Sequence, residues 1–331
     1  MPRSTPLPSP PRPDRKLLKR LEGLRWIERP YRALSYTFAV RTTSRALDAH
    51  IRRVLGTFVL PRETALEWSR QTRAHIPRYS VVVPAAGQDT YHVLWEETLV
   101  ASNGTREGAL EAMFSDINAK AFHHSGDFLI FHSGAVATPE GLGVMLPAQS
   151  GSGKSTLVLG LVLDGFSYLS DEGAALDPVT RRLYPYAKAL SLKDGSRSLF
   201  RSNGSNLAPR RLRGQWHLPP GEIRPAAVGG PCPVRYVIFP RYDTRPTELT
   251  PMTRGEAAVE LFSNSLNHST YGERALRLVG DVLRGAACYR LSVGDLDQAV
   301  RAIRRVTRPG RRGRTRASAA VSELRSAGRG A

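Results

Sequence analysis

The sequence predicts an α/β chain of two units, a small α+β unit followed by a larger one with a mixed sheet, flanked by basic termini without packed structure. Three observations predict it. Short alternating runs and two amphipathic helical patterns fill residues 31–125. Beyond Phe128 two apolar runs flank a Pro139-Glu140-Gly141 turn, and the second runs through a Gly/Ser-rich turn into an apolar helix over residues 126–306. Residues 1–30 are basic and Pro-rich, residues 307–331 are Arg-rich and poor in large apolar groups, and both are expected to be disordered.

Composition bounds the function. The chain has 331 residues, 48 Lys plus Arg against 29 Asp plus Glu, and 41% hydrophobic residues, enough to fill a sizeable core. Most of the +19 charge sits in residues 1–32 and 301–331, so the body is nearly balanced and nucleic acid is not an expected partner. The basic ends are expected to solubilise the chain or to meet an acidic partner. Cys232 and Cys288 form neither a disulfide framework nor a zinc spacing, which points to a reducing compartment, the cytoplasm. Glu140, Lys154 and Asp164 interrupt the most apolar region, so no membrane span is expected, and the Pro-rich start has no apolar signal core.

The small unit begins with LSYTFAVR, residues 34–41, whose alternation of Tyr36, Phe38 and Val40 with polar neighbours predicts a half-buried strand. Leu47, Ile51, Val54, Leu55 and Phe58 then recur at helical spacing over 45–58. Short strands follow at 79–84, 90–95 and 98–101, the last closed by Asn103-Gly104. A helix over 106–122 buries Leu110, Met113, Phe114 and Ile117. No chemistry is visible here.

The larger unit opens on FLIFHSGAV, a turn, and GLGVML, a hairpin that feeds AQSGSGKST. Ala148, Ser150, Gly151, Ser152, Gly153, Lys154, Ser155 and Thr156 fit the spacing of a Walker A phosphate-binding loop. Gly151 and Gly153 let the backbone turn its N–H groups inward at the start of a helix, where the dipole also favours negative charge. Lys154 is expected to reach the β- and γ-phosphates of a nucleotide, and Ser155 to ligate Mg²⁺. The helix of Leu157, Val158, Leu161 and Val162 ends at Gly165; the strand from Phe166 to Leu169 then delivers Asp171 and Glu172. A carboxylate pair there can hold Mg²⁺ and take a proton from an attacking hydroxyl.

The run from His132 to Glu172 resembles the C-terminal catalytic domain of HPr kinase/phosphorylase and, more closely, its HPr-kinase-related relatives. The resemblance rests on the His132-Ser133-Gly134 segment, the hairpin, SGSGKST, and the strand ending in Asp171. It implies a P-loop, HPr kinase-like domain that uses ATP and Mg²⁺ to phosphorylate a serine of a protein or peptide. By the same resemblance Asp171 is the base, His132 falls on the family's histidine, and Arg224, in the Glu222-Ile223-Arg224 segment, takes part in phosphoryl transfer. Ser155, Asp171 and Glu172 are the implied metal ligands, and a homo-oligomer is implied as well. Glu172 stands where the family has a second aspartate, and Pro225-Ala226 where it has glycines.

Beyond the carboxylates a hairpin turns at Asp177-Pro178, and the basic, polar segment 193–215 predicts a mobile loop. VRYVIF, 234–239, is a buried strand; a helix with the capping box Thr253–Glu256, a second over 273–287 and a last over about 295–306 complete the unit. A small-molecule kinase, a P-loop ATPase and a non-catalytic nucleotide binder are the alternative readings. An ABC-type ATPase needs its signature before the acidic pair, whereas Leu291-Ser292-Val293-Gly294 comes after it.

Overall fold

The computed structural model describes residues 13, 15–85, 87–196, 207, 210–212, 215–243 and 245–308. The first unit comprises α1 (Arg15–Glu22), β1 (Ile27–Ala33), β2 (Tyr36–Thr42), α2 (Arg45–Leu55), α3 (Arg62–Thr72), β3 (Arg78–Val82), β4 (Tyr91–Trp95), β5 (Thr98–Asn103) and α4 (Arg106–His124). Its five strands lie in sequence order; β2 and β3 run parallel and the other neighbours antiparallel. The Ser44 and Thr105 hydroxyls accept the Leu47 and Gly108 amides and so start α2 and α4, as short polar N-caps do. One sheet face buries Phe38, Tyr79 and Val81 against Ile51, Val54, Leu110 and Ile117 of these two helices.

The expected disorder of residues 1–30 does not hold for its second half. Helix α1 sets Leu17, Leu18 and Leu21 against Val82 and Leu94 on the other sheet face, and β1 forms a seven-residue ladder with β2. The leucines sit at helical spacing inside a basic segment, so net charge concealed an apolar stripe. The expected disorder of 307–331 falls on residues outside those described, apart from Thr307 and Arg308; Thr307 closes the last helix and is buried.

The second unit comprises β6 (Leu129–Ala137), β7 (Gly143–Pro147), α5 (Lys154–Leu163), β8 (Ser167–Ser170), β9 (Gly173–Leu176), β10 (Arg182–Tyr184), β11 (Leu190–Lys193), β12 (Arg210–Leu212), β13 (Gln215–Leu218), α6 (Pro220–Ile223), β14 (Cys232–Tyr242), β15 (Glu248–Pro251), α7 (Arg254–Ser263), α8 (His268–Tyr271), α9 (Glu273–Gly285), β16 (Ala287–Val293) and α10 (Leu296–Thr307). Its mixed sheet runs β10-β9-β6-β7-β14-β16-β15, with β8 also on β6, and β14 is parallel to both β7 and β16. Val144 and Leu146 face α5 and α10, while Met145, between them, faces α7 and α9. Burial on both faces explains why these strands read as unbroken apolar runs.

The segment expected to be one mobile loop is partly ordered: Lys193 ends β11, and β13 pairs with β11 on one side and β12 on the other in a three-stranded sheet. Arg197, Arg201 and Arg213 of that expected loop lie outside the described residues. Tyr186 and Ala189 of the second unit pack into the core of the first, and Ala189 donates its amide to the Val54 carbonyl, so one apolar core spans both units. Among the described residues no helix is long and apolar enough to cross a membrane.

Candidate functional site

Parallel strands β7, β14 and β16 end on one edge of the sheet, and the loop 148–153 leaves β7 there to enter α5. Antiparallel register brings the middle of β6 to the same edge, since Ser133 faces Pro147, and it brings in the end of β8, since Ala135 faces Ser170. A cavity of about 540 Å³ opens at this edge. Ligands of α/β sheets bind outside the carboxyl ends of the strands, because loops and helix starts converge there.

Gly151 and Gly153 have φ of 86° and 80°, the left-handed region where a side chain strains the backbone. These two residues turn the loop so that it delivers Lys154 as the first residue of α5, whose first-turn N–H groups have no intrahelical acceptor. Ser152 Oγ is buried in the loop without a hydrogen-bond partner among the described residues. Ser150 to Thr156 line the cavity; Ala148 stands behind them and supplies a carbonyl.

Lys154 is only 6% exposed. Its ammonium donates to the carbonyls of Ala148 (2.7 Å) and Gln149 (3.1 Å) and lies 3.0 Å from His132 Nε2. An ammonium has no lone pair, so His132 accepts at Nε2 and is the neutral Nδ1–H tautomer. Burial and the neighbouring Lys154 charge together hold the His132 imidazole below its ordinary value. Burial also lowers Lys154, against the opposing pull of Glu172 and Asp171.

Asp171 is 2% exposed and firmly oriented: the Tyr168 hydroxyl is 2.9 Å from Oδ1, and the Ser191 amide donates to Oδ2 at 2.9 Å. Glu172 is the more open carboxylate, with its side chain 31% exposed, and pairs with Lys188 Nζ at 3.2 Å. Lys188 is itself buried and donates to Ser191 Oγ at 2.9 Å. The buried ammonium answers one buried and one half-buried carboxylate, which is how interior charges persist. Burial raises the Asp171 carboxyl, with Lys188 opposing; for Glu172 burial acts the same way, but Lys188, with His132 and Lys154, outweighs it and leaves that carboxyl below the ordinary glutamate value.

The donor set suits a hard cation. Among the described residues no three His, Cys, Asp or Glu side chains converge as a metal cage. The cavity instead offers two carboxylates and the Ser155 hydroxyl, oxygen donors of the kind Mg²⁺ takes while it keeps several waters.

Arg224 is not in this group. Its guanidinium donates to the carbonyls of Phe166 (2.9 Å) and Gly165 (3.4 Å), at the opposite end of β8 from Asp171. At roughly 3.3 Å per residue, the five steps from Phe166 to Asp171 put ~16 Å between them. Glu222 instead makes a two-pronged ion pair with Arg53 of α2. The structure therefore does not bring Arg224, expected in phosphoryl transfer, to this cavity: the Glu-Ile-Arg segment ties the start of β8 and the first unit together.

Sequence reading overlooked Tyr168, Lys188, Ser191, Lys193, Ser196 and the strand-end residues Pro240 and Tyr242. A signal existed for some of them. In LSLK, Leu190 and Leu192 alternate with Ser191 and Lys193, so a strand there sends the polar pair to one face. Lys188 carried no such signal, because its counter-ion, Glu172, lies beyond an intervening hairpin. No family model matches this chain, and no curated protein matches it.

Proposed function

We propose that the chain is an ATP-dependent kinase that transfers the γ-phosphate of ATP to a hydroxyl acceptor; the resemblance to HPr kinase makes a serine of a protein or peptide the acceptor class. One observation carries the reading: a glycine-turned loop with a buried lysine and an oriented carboxylate pair open onto one cavity. The loop amides and Lys154 bind the phosphates, as such loops do. Ser155 and Glu172 would hold Mg²⁺, with Asp171 beside them; the bound ion supplies positive charge that offsets the phosphate oxygens.

Asp171 takes the proton of the acceptor hydroxyl. Each of its oxygens accepts one hydrogen bond from Tyr168 or Ser191 and keeps a further lone pair for that proton. Burial raises its basicity in the direction a general base needs near neutral pH. His132 helps the loop carbonyls to keep Lys154 in place.

Calorimetric titration with Mg²⁺ and a non-hydrolysable ATP analogue tests the reading. Lys154→Ala is expected to bind at least ~1.5–3 kcal/mol more weakly, the worth of a charged hydrogen bond, which is roughly ten- to a hundredfold. Equal affinities for the two proteins would refute the nucleotide site. A small-molecule acceptor, or steady hydrolysis without any acceptor, would move the assignment within the same chemistry.

A further inference from the structure

We propose that Lys193 is a second phosphate-binding lysine of this site, one that contacts the terminal phosphate of ATP and stabilises the charge displaced during its transfer. The inference rests on the nucleotide reading above and names the cation that Arg224 does not supply.

Four observations carry it. Lys193 Nζ lies 3.9 Å from where a Cβ on Gly151 would stand, over the open side of the loop, and the side chain lines the cavity. The backbone behind it is fixed on both sides. Lys193 is in register with Gln215 of β13, Asp194 accepts Trp216 Nε1–H at 2.8 Å and Arg211 at 3.1 Å, and Ser196 Oγ is 2.6 Å from Thr156 Oγ1 on α5. That last contact latches the end of the arm to the residue next to Ser155. Strand alternation sets the direction: Leu190 and Leu192 go into the core, so Ser191 and Lys193 face the cavity, and the Ser191 amide already binds Asp171.

No carboxylate lies within ion-pair distance of Lys193 among the described residues, whereas Lys188 is bound to Glu172. Lys193 thus brings a second ammonium to the loop that Lys154 serves, and its repulsion adds to the burial that lowers Lys154, against the pull of Glu172 and Asp171. An anion with several charged oxygens relieves that repulsion, and a nucleoside triphosphate does so more than a diphosphate.

In the transfer step the bond from the γ-phosphorus to its bridging oxygen breaks as the bond to the acceptor oxygen forms. The electron pair stays on the bridging oxygen of the departing ADP, and the acceptor proton passes to Asp171. Lys154 and Lys193 face the oxygens that gain charge, the requirement for electrostatic stabilisation of phosphoryl transfer.

The test is a comparison of ADP with a non-hydrolysable ATP analogue, each with Mg²⁺, titrated calorimetrically into the wild type, Lys193→Ala and Lys193→Arg. Thermal unfolding of each variant checks that it is folded. Lys193→Ala is expected to lose about tenfold or more in affinity for the analogue while ADP binding changes less than about twofold, and Lys193→Arg to recover most of the loss. Equal weakening toward both nucleotides, or no change toward either, overturns the assignment of Lys193 alone. Failure of the wild type to bind either nucleotide overturns this proposal and the kinase reading beneath it.

Discussion

Replacing Lys188 with methionine should destabilise the protein through charge rather than through packing. Methionine keeps the unbranched stem and fills most of the same volume, so little cavity is added. What disappears is the ammonium that answers Glu172 at 3.2 Å and donates to Ser191 Oγ at 2.9 Å. Removing one partner of a buried pair costs about 3–5 kcal/mol, because the other charge stays behind without compensation. Two features of the site place the expected loss near the lower end. Glu172 is 31% exposed and regains some water, and Asp171 keeps its hydrogen bonds from Tyr168 and Ser191. The expected loss is ~3 kcal/mol, read as a lower urea midpoint with an unchanged slope. Glu172→Gln made in the same background should recover about 1–2 kcal/mol, since the orphaned charge is then gone, and the double-mutant cycle isolates the pair. A Lys188→Met protein within ~0.5 kcal/mol of wild type, or a cycle without coupling, would refute the view that Lys188 is the internal counter-ion of this carboxylate pair.

Three further outcomes are expected. Asp171→Asn keeps the shape but cannot accept a proton, so phosphate transfer should fall ~10²–10⁴-fold while nucleotide binding persists; transfer at the wild-type rate removes Asp171 from the chemistry. His217 is buried with both ring nitrogens lacking a hydrogen-bond partner among the described residues, and burial, aided by Lys188 and His50, lowers its imidazole to about 3. In the unfolded chain it titrates near 6.5, so between these values the unfolded state holds more protons and stability falls as pH falls, by at most ~1.4 kcal/mol per pH unit. His217→Phe should flatten that acid limb in urea melts taken between pH 6.5 and 4, and an unchanged limb would assign it to other groups. Deletion of residues 1–29 strips α1 from Val82 and Leu94 and removes the paired Arg29 from Asp48. Burying several leucines is worth ~1.5–3 kcal/mol each when complete, and here it is only partial, so a loss of about 3 kcal/mol is expected in thermal or urea unfolding. An unchanged midpoint would show that α1 contributes nothing to the fold.

Much of the second unit was legible in residue order. The hairpin, the glycine-turned loop and α5 are contiguous, and their signals act over a few residues: alternation for β6 and β7, left-handed glycines for the turn, an apolar helix after it. The Thr253–Glu256 capping box, with its reciprocal hydrogen bonds, was equally local. Those spacings alone placed Ser150–Thr156 and the Asp171-Glu172 pair at the ends of neighbouring elements.

Which residues meet across the site was decided by the tertiary structure. Arg224 follows a motif-like segment, yet the chain path carries it to the far end of β8, while Lys193, without any motif, arrives over Gly151. The sequence distance between Lys188 and Glu172 is bridged by a hydrophobic core that includes Tyr186 and Ala189 from one side and Phe58 from the other. Strand pairing sets such meetings. β14 is inserted beside β7 and β16 beside β14, and a one-residue slip in either register would turn every side chain to the opposite face. Local spacing determines which groups stand at the end of an element; long-range pairing and packing, whose free energy belongs to the whole sheet, determine which ends come together.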